Sequence, residues 1–192
     1  TTRAGRQDGG DAGGTVAIIL SAAGGALGGL LFGFDTAVIS GATQAWQTRF
    51  ALPDASLGFT VASALIGPVI GSLVAGAPAD RHGRKAIMLS VAIAYVISSL
   101  GTGLAQSWPM LIAFRFLGGL AIGAASVVTP IYIAEVAPAR CRGRLVAMNQ
   151  LNIVLGILIA FLSNYLIAQA LPPEQAWRWM FGIVAVPSAL FL

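Results

Sequence analysis

Two residues of opposite charge stand where charge is expensive. Asp35 lies near the end of a long apolar run, Thr15 to Ile39, that otherwise holds no charge, and Arg115 breaks a second run that starts near Pro109. In the middle of a bilayer helix a carboxylate or guanidinium costs roughly 2.5–3.5 kcal/mol on insertion scales, so such residues face a bundle interior and serve function. If the first run leaves the bilayer between Ile39 and Thr43, Asp35 sits about four to eight residues inside it, roughly 6–12 Å deep at 1.5 Å per residue. Arg115 is about six residues in from Pro109, roughly 9 Å. Opposite charges at matching depths predict an ion pair. A pair that merely held helices together would be a poor device, because a hydrophobic pair is often as stable and avoids desolvation. The chemistry that suits it is proton movement: a cation beside a carboxylate favours the ionised form, and its withdrawal lets the acid take a proton. One proton driven by 100 mV supplies about 2.3 kcal/mol, enough for roughly a fifty-fold solute gradient.

Lipid-embedded helices are the elements that must position this pair. Of 192 residues, 57% are hydrophobic and 9% charged, against roughly 25% charged in a soluble domain. Six apolar runs can be drawn, at about 16–39, 57–79, 86–105, 109–134, 145–171 and 177–192. The first five reach the roughly 20 residues that span about 30 Å of hydrocarbon. The sixth stops short inside Pro187-Ser188-Ala189-Leu190-Phe191-Leu192 with no polar flank, so the chain reads as a fragment cut within its sixth helix. The reading is an all-α membrane protein, with residues 15–192 as a six-helix bundle. Residues 1–14, polar and glycine-rich, form a disordered cytoplasmic tail.

Loop charges set the orientation. Asp80-Arg81-His82-Gly83-Arg84-Lys85 and the stretch from Glu135 through Arg140, Arg142 and Arg144 each hold three cations against one acid, net +2. The other three connections are close to neutral. The positive-inside rule puts both basic loops and the N-terminus in the cytoplasm, here of the plasma membrane or cell inner membrane. Trp46, Trp108, Trp177 and Trp179 fall at the opposite ends, as an interfacial aromatic belt. Gly24, Gly25, Gly28, Gly29 and Gly33, then Gly67, Gly71 and Gly76, then Gly118, Gly119 and Gly123 give three helices small faces for close packing.

Other chemistries are poorly served. The cations sit in short loops with no basic face to follow phosphates, which excludes a nucleic-acid partner. No H-E-x-x-H metal motif, P-loop or N-x-S/T sequon occurs, and nothing points to an enzyme. One cysteine, Cys141, permits no intrachain disulfide. The one histidine, His82, lies between arginines as a solvated residue.

Gly76 followed by Asp80-Arg81-His82-Gly83-Arg84-Lys85 resembles the loop signature of the major facilitator superfamily. Five further stretches narrow it. Gly29 to Gly41 resembles the first helix of the sugar porter family, and Arg115 to Gly123 is similar to its fourth. Pro130-Ile131-Tyr132-Ile133-Ala134-Glu135, with Arg142-Gly143-Arg144 beyond, looks like its P-x-Y-x-x-E signature. Asn149 to Ile157 and Trp177-Arg178-Trp179-Met180 are similar to its fifth and sixth helices.

The resemblance implies a twelve-helix transporter in two halves with sugar bound between them, of which this chain is the N-terminal six-helix half. It implies that Asp35 is the proton-coupling acid and Arg115 its partner, with protons as coupling ion and no cofactor. Gln150 matches a glutamine that hydrogen-bonds sugar hydroxyls, and Ile153 and Phe32 match wall positions. Ile157 stands where some members have a second sugar-binding glutamine, so a hexose is the first choice. Asp80, Arg81, Arg84, Glu135, Arg142 and Arg144, with Gly83 in the same motif, match a cytoplasmic latch between the halves. Ion pairs at such a seam form in one state and break in the other. The implied activity is proton:sugar symport by alternating access, with sugar, lipid and the missing C-terminal half as partners. A facilitator or polyol porter of the same fold remains open, as does an inert fragment or non-transporting membrane scaffold.

Overall fold

A long apolar backbone in lipid has no hydrogen-bond partner but itself, so each run becomes a helix. The computed structural model describes residues 11–137 and 142–191. Its helices are α1 Asp11–Phe50, α2 Asp54–His82, α3 Arg84–Gly103, α4 Trp108–Val136, α5 Arg142–Ala170, α6 Pro173–Gly182 and α7 Ala185–Phe191. Four of them, α2, α3, α4 over Trp108–Glu135 and α5, are long and apolar enough to cross a membrane.

Both ends of α1 depart from expectation. Residues 1–10 of the expected tail lie outside the described residues, but α1 starts at Asp11, so the last residues of that tail are helical. At its other end α1 runs past Ile39 to Phe50, where Ala51 turns to a φ of 49° and Pro53 follows. This extension changes the reading of the tryptophans. Trp46 and Trp177 are fully buried in the core instead of sitting in an interfacial belt, and Trp179 alone of the four is broadly exposed. Trp108 is half-buried and donates its indole N–H to Thr60 Oγ1 at 2.8 Å.

The sixth run forms two helices. Pro187 has no N–H to give the Ile183 carbonyl, so the α-helical ladder cannot continue through it. The backbone tightens instead, with Val184 N–H on the Phe181 carbonyl at 3.2 Å and Val186 N–H on the Ile183 carbonyl at 3.1 Å. This divides α6 from α7.

Glycines determine how close the helices come. A Cβ on Gly71 of α2 would fall on the Leu120 carbonyl of α4, and one on Gly123 of α4 on the Pro68 carbonyl of α2. A Cβ on Gly33 of α1 would fall on the Ile153 carbonyl of α5, and one on Gly156 of α5 on the Leu30 carbonyl of α1. Such backbone-to-backbone contact gains dispersion energy where lipid supplies no hydrophobic drive. Gly76 differs, since nothing lies within 4 Å of its Cβ position. The packing sets α1 on α5, and α2 and α3 on α4, while α6 and α7 lean on α1 and α3. Because α1 also meets α4, the two charged helices share an interface.

Candidate functional site

Asp35 and Arg115 meet at that interface. Arg115 Nη2 donates to Asp35 Oδ1 at 2.8 Å, and the side chains are 1% (Arg115) and 7% (Asp35) exposed. The depths counted along two separate runs therefore bring the charges together. The guanidinium is only partly satisfied, because Arg115 Nε and Nη1 are buried without a hydrogen-bond partner. The guanidinium instead lies over the ring of Phe181 of α6, with Cζ 4.5 Å from the centroid. Phe181 is itself fully buried and stacks on Trp46 of α1, centroids 5.4 Å apart at 15°.

Neighbouring groups hold α4 at this height. Ser98 of α3 donates to the Phe114 carbonyl at 2.6 Å, just before Arg115. Gly118 leaves room for both, since a Cβ there would strike Ser98 Oγ and lie 3.5 Å from Arg115 Nη2. The Tyr95 hydroxyl of α3 is buried beside Asp35 and Arg115, within electrostatic reach of both. Phe181, Tyr95 and Ser98 were not among the residues expected from sequence. Each looks like ordinary helix filling until the fold places it beside the pair.

The residues assigned to sugar are not brought to one cavity. Phe32 is half-buried and lines a gap of about 10 Å³ with Leu31, Tyr95 and Ile122. That space is enough for at most about one water. Gln150 is exposed on α5 and Ile153 half-buried there, and neither lines this gap. A larger cleft of about 990 Å³ lies between the end of α1 and the α5–α6 connection, walled by Gln44, Thr48, Arg49, Glu174, Gln175 and Arg178. None of the expected sugar residues lines it.

Three of the residues expected in the latch meet. Arg84 Nη2 bridges Asp80 Oδ1 at 2.9 Å and Glu135 Oε1 at 3.1 Å, tying the α2–α3 turn to the end of α4. Gly83 makes that turn with φ 86° and ψ 145°, a conformation nearly confined to glycine. Arg81, Arg142 and Arg144 are exposed and form no ion pair among the described residues. Cys141 and Arg140 lie outside the described residues. His82 is exposed, with Nδ1 3.3 Å from the Pro78 carbonyl oxygen. Backbone geometry should outweigh charge here. Gly83→Ala is expected to destabilise the protein by about 1–3 kcal/mol through forced strain, whereas Arg84→Ala removes partly exposed pairs worth about 1 kcal/mol each. Thermal denaturation of the two purified variants compares them directly.

Residues 22–192 match the protein family described as "Sugar (and other) transporter". The chain is 48% identical over 175 residues to the glucose transport protein of Synechocystis sp., covering 86% of this chain and 37% of that protein. It is 38% identical over 196 residues to the D-xylose-proton symporter of Escherichia coli (strain K12), covering 86% of this chain and 40% of that protein. Its fold superposes with a TM-score of 0.86 on a solved structure of the major facilitator superfamily proton:xylose symporter XylE bound to 6-bromo-6-deoxy-D-glucose. That match has 36% identity over 92% of this chain and 44% of the solved one. The chain thus spans less than half the length of the relatives it matches.

Proposed function

The chain belongs to the sugar (and other) transporter family, and from that premise we propose that it forms the N-terminal half of a proton:sugar symporter working by alternating access. The observation that bears most weight is the buried Asp35–Arg115 pair at 2.8 Å. A facilitator has no use for an ionisable acid at that depth, whereas a symporter needs a group whose charge depends on conformation. Asp35 takes a proton from the outer side as Arg115 withdraws. With the acid neutralised, the loaded bundle closes around sugar and opens inward, and release of sugar and proton lets Arg115 return.

Sugar binds between this half and a second one, with Gln150, Ile153 and Phe32 contributing from this side. That they line no common cavity in this half fits a site that requires both halves. The largely uncovered α5, whose buried residues are Gly156, Ala160 and Asn164, offers an apolar face for the second half. Arg84, Asp80 and Glu135, with Arg81, Gly83, Arg142 and Arg144 around them, form the cytoplasmic latch that favours the outward-open state. The transporter lies in the plasma membrane with the N-terminus in the cytoplasm, and no cofactor takes part. A hexose is the preferred substrate.

Vesicles containing the full-length transporter test this reading. Under an inward proton gradient, labelled glucose is expected to accumulate above its external concentration and to leak back when a protonophore is added. Uptake that only equilibrates, with or without the gradient, would replace the symporter with a facilitator.

A further inference from the structure

We infer that Phe181 is a positioning residue for proton coupling, its ring face serving as the second partner of Arg115 that receives the guanidinium when Asp35 is neutralised. The inference rests on the symport reading above and extends it to a residue outside the charged pair. Three observations support it. The guanidinium carbon lies 4.5 Å from the Phe181 centroid, over the face. Nε and Nη1 of this 1% exposed arginine have no hydrogen-bond acceptor, so the ring is a contact the cation holds besides Asp35. The ring is also held in place, stacked on Trp46 and placed one residue before the end of α6.

The physical role follows from what the arginine loses. While Asp35 is ionised, Arg115 has a counter-charge and the ring is a secondary contact. Once Asp35 takes a proton that counter-charge vanishes, and a buried cation without a partner is strongly disfavoured. A desolvated aromatic face attracts a guanidinium through its quadrupole. Phe181 therefore stabilises the protonated state more than the ionised one, and makes proton uptake easier. Besides Arg115 on α4, the titratable group beside Asp35 is Tyr95 on α3. Arg178 of α6 is engaged elsewhere, donating to the Gly103 and Ala105 carbonyls at 3.4 and 3.2 Å.

The test is a series of mono-, di- and trifluorinated phenylalanines introduced at position 181 of the full-length transporter, with Phe181→Leu alongside. Fluorination drains the quadrupole while keeping shape. The readout is the pH of half-maximal sugar uptake, with sugar counterflow at saturating proton concentration as the control. Each fluorine is expected to move the profile toward acid, reaching about a tenfold higher proton requirement at three fluorines, with counterflow unchanged. A flat fluorination series overturns the inference, even if Phe181→Leu shifts the profile, because the ring would then act by packing alone. Counterflow that falls in step with uptake overturns it too. Wild-type transport with no pH dependence removes both the inference and the symport reading, whereas pH-dependent wild-type transport with a flat series removes the inference alone.

Discussion

Asp35→Asn is expected to abolish uphill sugar accumulation while leaving sugar-for-sugar counterflow. The substitution keeps the shape, and an amide oxygen can still accept from Arg115 Nη2, which lies 2.8 Å from Asp35 Oδ1. What it removes is the proton site. A proton driven by 100 mV supports roughly a fifty-fold gradient, so the accumulation ratio of the variant should drop from that order to unity. Counterflow needs only the neutral, loaded bundle to move between its two openings, and asparagine imitates that state permanently. Arg115→Leu should behave differently. It strands the carboxylate in a site where removing one partner of a buried pair costs about 3–5 kcal/mol, so folding as well as coupling suffers. Both assays run on the same vesicles: labelled sugar uptake under a proton gradient, then exchange without one.

The second large effect concerns two glycines on one helix. Gly71→Ala is expected to destabilise the bundle by about 1–3 kcal/mol or more, as an overpacked interior does. Gly76→Ala is expected to stabilise α2 by about 0.5–1 kcal/mol, the usual gain for replacing a helical glycine. The new methyl at Gly71 meets the Leu120 backbone carbonyl, which cannot rotate away, so α2 and α4 must separate. At Gly76 the same methyl enters open space. Melting of the purified variants, followed by intrinsic fluorescence or by loss of monodispersity, should move in opposite directions. Equal shifts would contradict the helix spacing described here.

Much of the site was legible because its chemistry is costly. A buried charge leaves a mark in an apolar sequence, and residue counts from two run ends place Asp35 and Arg115 at one height. The basic loops were readable for a similar reason, and they delivered the Arg84 bridge between Asp80 and Glu135. What escaped reading depends on packing. Phe181 lies in an aromatic stretch that says helix and nothing more, and only the fold sets it under Arg115. Trp46 and Trp177 flank apolar runs, which in sequence points to the membrane interface. That argument fails once α1 extends to Phe50, because Phe50 then packs edge-on against Trp177 at 6.3 Å and both tryptophans enter the core. The broken sixth helix had a local cue in Pro187, outweighed by the unbroken apolar character around it. The sugar residues line no common cavity in this half for a further physical reason: a cavity between two halves is not specified by one.

External pH on sugar addition tests the central claim most directly. De-energised cells or vesicles with the full-length transporter, lightly buffered, receive a pulse of hexose while the medium is followed with a pH electrode. If Asp35 takes up a proton with each sugar, the medium turns alkaline at once, and the signal disappears in Asp35→Asn although labelled sugar still exchanges. Sugar entry without alkalinisation in the wild type, or an alkaline pulse that persists in Asp35→Asn, would contradict the account.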